Sequence, residues 1–108
     1  MQQSDFIPFA EQKVKDRIIE LNRGSYPCSL RQWLRIARKC GLTVKFANLP
    51  VAFLATDLIV CPRSHRFKSR VIAHEVAEYL MRTECQPPIY YPLSYRYTRH
   101  QVAKRCEE

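Results

Sequence analysis

The sequence predicts an α+β fold, a helix-rich single domain with a small β-sheet. The chain has 108 residues, which supports one hydrophobic core and leaves little for a second lobe, so residues 1–108 are expected to form one unit. Apolar residues recur at helical spacing in several stretches. Between them lie two short β-rich runs bounded by turn formers. With only two glycines and no repeat or low-complexity tract, the composition is that of an ordinary globular protein.

Pro8 suits a first helical turn, and Val14, Ile18, Ile19 and Leu21 continue a helix from about Pro8 to Asn22, closed by Gly24. Ser29-Leu-Arg-Gln32 has the form of a capping box. Leu30, Trp33, Leu34, Ala37 and Cys40 then repeat at helical spacing up to Gly41, giving a second helix. Leu42 to Phe46 alternates and is β-rich, Asn48-Leu-Pro50 turns the chain, and Leu58 to Cys61 is a second β-rich run stopped by Pro62. Val51 to Ala55 fits either a third strand or a packed loop. After Pro62, Ser64 is a candidate N-cap for a helix from about His65 to Arg82. The segment ECQPPIYYPLSYRY, rich in proline and tyrosine, reads as a long loop bordering a site. Thr98-Arg-His-Gln101 is again a capping box, so a last helix is expected from about Arg99, with His100 in its first turn.

No run reaches the roughly 18 apolar residues of a membrane span, and the N-terminus lacks the basic then apolar pattern of a signal peptide. A cytoplasmic protein without a membrane partner is expected. The five cysteines are odd in number, widely spaced and form no C-x-x-C pair, so they read mostly as small buried hydrophobes in a reducing compartment. The net charge of +8 favours an acidic protein surface or nucleic acid as partner, but the basic residues are spread along the chain rather than gathered in one block.

Residues 71–81 read VIAHEVAEYLM, an apolar run interrupted by His74, Glu75 and Glu78. Residues four apart on a helix differ by about 40° in direction, so His74 and Glu78 can converge on one ion. Glu75, about 100° from His74, can flank that ion without binding it and accept a proton from an attacking water. Zinc takes carboxylate as well as imidazole ligands in catalytic sites, and two histidines with one carboxylate form a familiar set of three. The missing histidine must come from elsewhere in the chain, which has only His65 and His100 besides, and a site of His74, Glu78 and His100 would keep the two-nitrogen, one-carboxylate set. The bland alternative is an exposed polar stripe on a core helix, with Glu78 and Arg82 forming an i,i+4 pair.

The order of these features resembles the ImmA/IrrE family of bacterial and phage metallopeptidases, over nearly the whole chain. The stretches that carry the likeness are PCSLRQWLRIARKCGLTVKF, DLIVCP, FKSRVIAHEVAEYLM and the final His100-Gln-Val-Ala103-Lys-Arg-Cys106-Glu107. The resemblance implies a minimal zincin-like fold around an active-site helix, with His74, Glu78 and His100 as Zn2+ ligands and Glu75 as catalytic base. Two positions depart from the family pattern in a complementary way: Glu78 stands where the family usually has His, and His100 where it usually has Glu. The family's substrate class would be a helix-turn-helix repressor cleaved in mobile-element or stress gene control, with nucleic acid involved only through that repressor. Substrate would lie along Leu58 to Cys61, with Tyr90, Tyr91, Tyr95 or Tyr97 bordering the cleft.

Two other readings stay open. One is a catalytically silent relative that binds a partner through the same cleft. The other is a DNA-binding module built on SLRQWLRIARKCG, although Gly41 leads into the β-like LTVKF rather than a recognition helix.

Overall fold

A computed structural model describes residues 3–85 and 95–107 and shows an α+β fold with four helices and a three-stranded sheet among them. Helix α1 (Gln3–Leu21) buries Phe6, Ala10, Val14 and Ile18, four residues apart, along one face. It begins five residues before the expected Pro8, because buried Phe6 anchors a turn ahead of it. So near the N-terminus, a proline forfeits a single backbone hydrogen bond. At its other end Arg23 N–H donates to Glu20 O and Gly24 N–H to Ile19 O, with Arg23 (φ 61°) and Gly24 (φ 108°) both at positive φ, so the helix closes at Gly24 as expected.

Helix α2 (Leu30–Lys39) follows its sequence signals closely. Ser29 Oγ accepts from Gln32 N–H at 3.2 Å, and Gln32 Oε1 accepts from Cys28 N–H at 2.7 Å. Gly41, at φ 80°, lets its N–H reach Arg38 O while Leu42 N–H reaches Ala37 O, closing the helix and sending buried Leu42 into the core. Strand β1 (Thr43–Ala47) comes next, so α2 is not followed by a recognition helix.

Strand β2 (Phe53–Ala55) settles the ambiguous run as a third strand, and β3 (Leu58–Pro62) lies in the middle of the order β1-β3-β2. β3 runs parallel to β1 and antiparallel to β2. Being paired on both edges and covered by helices, it buries Ile59, Val60 and Cys61 in succession rather than alternately.

Helix α3 (Lys68–Glu84) starts three residues after the expected His65. Ser64 does not cap it; His65 Nδ1 accepts from Phe67 N–H and Lys68 Nζ donates to His65 O, which commits these residues to a local turn. Helix α4 (Tyr95–Cys106) starts four residues before the expected Arg99. Thr98 is therefore inside the helix and fully buried, and Tyr95 to Tyr97 are helical rather than loop. The remainder of the expected loop, 86–94, lies outside the described residues. Ile72, Ala73, Val76, Ala77, Leu80 and Met81 of α3 meet Val102, Ala103 and Cys106 of α4 and the α1 and α2 faces in one core. Cys61, Cys85 and Cys106 are buried there as free thiols, as small hydrophobes should be, whereas Cys40 is half-buried and Cys28 is exposed. No helix among the described residues is long and apolar enough to cross a membrane.

Candidate metal centre

Because the apolar side of α3 faces the core, His74, Glu75 and Glu78 turn toward α4 and β2. There they line a cleft of about 650 Å³ with Phe53, Arg99 and His100. The stripe is not the exposed one of the bland alternative: the side chains of His74 and Glu78 are each 15% exposed, and Glu75 is 6% exposed. Arg82 instead donates to Thr56 O at 2.6 Å and lies over the Tyr79 ring, and among the described residues no ion pair joins it to Glu78.

His74, Glu78 and His100 each bring a ligand atom within 4.8 Å of the others. Glu78 Oε1 stands 3.7 Å from His74 Nε2 and 3.9 Å from His100 Nδ1, and the two imidazole rings meet edge to face at 4.8 Å. A tetrahedral zinc site with bonds of about 2.0–2.1 Å has ligand-to-ligand edges of about 3.3 Å. Closing this set to that size takes shifts of an ångström or so, and His100, whose side chain is 53% exposed, has the rotamer freedom to supply most of it. His100 stands in the second turn of α4, not the first, which still brings it opposite α3.

The electrostatics fit a cation. Three of the ten acidic side chains, Glu75, Glu78 and Glu107, gather around His74 in a protein of net charge +8. Burial works against a charged imidazole at His74, but Glu78 and Glu107 outweigh it and lift its pKa to about 9. Burial would raise the Glu78 carboxyl, yet His74, Arg99 and His100 hold it below the usual carboxylate value. Arg99 Nε lies 3.9 Å from Glu78 Oε1. At Glu75, burial and the neighbouring Glu78 charge push the pKa up to about 7. Its Oε2 is buried with no hydrogen-bond partner among the described residues, an arrangement that costs free energy unless something in the cleft meets it.

Of the residues picked out in the sequence, the fold thus brings together His74, Glu75, Glu78 and His100. Tyr97 lines the cleft, exposed; Tyr90 and Tyr91 lie outside the described residues. The expected substrate strand is corrected. β3 is paired on both sides and offers no free edge, whereas β2 has an outer edge unpaired among the described residues and lines the cleft through Phe53 and Leu54. His65 lines an adjoining cavity of about 340 Å³ with Phe67, Arg70 and Val71. Sequence reasoning gave no role to Glu107, whose Oε2 stands 2.7 Å from His74 Nδ1. Its one signal was spacing: seven residues after His100 is two helical turns, hence the same face. Comparison with protein-family profiles, curated proteins and solved structures finds no match for this chain.

Proposed function

We infer that residues 1–108 form one zinc-dependent endopeptidase domain of the ImmA/IrrE kind, with His74, Glu78 and His100 as ligands and Glu75 as general base. The observation that carries this reading is the convergence of two imidazoles and a carboxylate beside a buried carboxyl whose second oxygen has no hydrogen-bond partner among the described residues. Zinc held by three protein ligands with an open fourth position supplies Lewis acidity toward a water and a peptide carbonyl. Glu75, buried beside the ligands with one oxygen unmet among the described residues, is placed to take a proton from the attacking water and return it to the leaving amine. Arg99 and His100 lie on the cleft side of Glu78 and offset its charge. An extended peptide would add to the outer edge of β2, hydrogen-bonding to its backbone and placing a scissile carbonyl near Glu75. The substrate class proposed is a helix-turn-helix repressor in the cytoplasm, an acidic one being drawn to this basic chain.

Zinc stoichiometry measured in the wild type and in His74→Ala tests the centre: one zinc per chain is expected in the first and none in the second. Glu75→Gln should keep the zinc and lose about 10²–10⁴-fold in cleavage of a cognate repressor. Full cleavage by that variant removes Glu75 from the mechanism. Stoichiometric zinc without cleavage of any repressor leaves a silent binding domain as the reading.

A further inference from the structure

Glu107 stands in the turn just after α4, seven residues beyond His100, and its carboxylate reaches across to α3. Its Oε2 is 2.7 Å from His74 Nδ1, while Nε2 of the same ring faces Glu78 Oε1 at 3.7 Å. We propose that Glu107 is a positioning residue: it accepts a hydrogen bond from the Nδ1–H of His74 and thereby fixes that imidazole to bind the metal through Nε2. This rests on the metal centre proposed above.

A neutral imidazole carries one N–H and one lone pair, and its two tautomers exchange these roles. An ionised carboxylate can only accept, so a carboxylate against Nδ1 keeps the proton there and leaves the lone pair on Nε2, the nitrogen turned toward the other ligands. Glu107 has cationic neighbours in Lys104 and Arg105, yet Arg105 pairs with Glu11 at 3.1 Å on the α1 side. Among the described residues, His74 is the charged side chain that Glu107 meets. With 28% of its side chain exposed, Glu107 is partly shielded, so the contact is screened less than a surface pair. Helix α4 thus holds His74 from two directions, His100 facing the ring at 4.8 Å and Glu107 fixing its far nitrogen. The docking of α4 onto α3 both completes the ligand set and orients its first member.

The test is zinc affinity by chelator competition in the wild type, Glu107→Gln and Glu107→Ala, with melting of each protein recorded without zinc. Affinity is expected to fall about 10–100-fold in Glu107→Ala, with Glu107→Gln in between because its carbonyl still accepts the bond but carries no charge. Nitrogen-15 NMR of the zinc-loaded wild type should show His74 protonated at Nδ1, with that proton exchanging faster in Glu107→Ala. If Glu107→Ala melts lower but the folded protein binds zinc as tightly as wild type, Glu107 merely fastens the helix end and the assignment fails while the metal centre stands. If the wild type itself takes up no zinc, the centre falls and this assignment with it.

Discussion

Helices α2 and α4 carry the same local signature, Ser29-x-x-Gln32 in one and Thr98-x-x-Gln101 in the other, and use it differently. In α2 the serine is the cap, with its hydroxyl on Gln32 N–H, and the helix presents Trp33, Ile36 and Ala37 to the core. In α4 the threonine is one turn inside the helix and fully buried, and the helix brings His100 and Glu107 to α3. Capping is a contest between about 1 kcal/mol of local hydrogen bonding and whatever burial the longer helix gains. At α2 nothing opposes the cap. At α4 the extra turn buries Thr98, so packing wins.

The difference is one of consequence as well as geometry, and paired truncations should separate the two helices most sharply. His100→Ala is expected to lower zinc affinity by more than the ~100-fold that loss of an orienting partner gives, with a small effect on melting because the side chain is half-exposed. Trp33→Ala should do the reverse. It removes a buried ring packed edge to face on Tyr26, costing about 3–5 kcal/mol of stability, and leaves zinc affinity of the folded fraction unchanged. Equal zinc affinity in His100→Ala and wild type would reduce α4 to the same scaffold role as α2.

The ionisable cluster between α3 and α4 has no counterpart at α2, and pH should expose it. His74 rises from 6.5 to about 9 and Glu75 from 4.5 to about 7 on folding, so both bind more protons in the folded state. Their contributions are fully present below the unfolded values and are lost as pH rises through the folded ones. Stability of the metal-free protein should accordingly decline between about pH 5 and pH 9, opposed in part at the acid end by Glu78, whose lowered pKa acts the other way. Zinc affinity should climb over the same range, about tenfold per pH unit near neutrality, because a proton must leave His74 before it binds. Titration calorimetry in buffers of differing ionisation enthalpy would count that proton; zero release at pH 7 contradicts the His74 assignment.

What was readable in the sequence divides along the same line. Helix α2, strands β1 and β3, and the pairing of His74 with Glu78 were legible because each rests on local chemistry or helical spacing, whereas His100 joined them only through the family resemblance. The starts of α1, α3 and α4 were not. In each, a local signal (Pro8, Ser64, Thr98) pointed to a boundary that packing or a competing turn moved by three to five residues. The substrate edge was misplaced for a related reason: strand order is a long-range property, and the β-rich character of Leu58 to Cys61 reflects its central position rather than an open edge. The spacing of Glu107 from His100 put the two on one face, but its partner His74 is 33 residues away and no spacing rule names it.

The smallest effect is the one that tests the boundary of α4 itself. Exchanging serine and threonine keeps a hydroxyl and changes one methyl group, so at a solvated cap it is nearly neutral, within a few tenths of a kcal/mol. Ser29→Thr should behave that way. Thr98→Ser should instead cost about 1 kcal/mol, because the methyl removed is buried and the space it leaves is not refilled. Denaturant melts of the two variants resolve a difference of that size. If Thr98→Ser is as silent as Ser29→Thr, residue 98 is acting as a cap and α4 begins near Arg99. That would return His100 to the first turn, where its backbone N–H would no longer be tied to the preceding turn and its imidazole would have more freedom to meet His74 and Glu78.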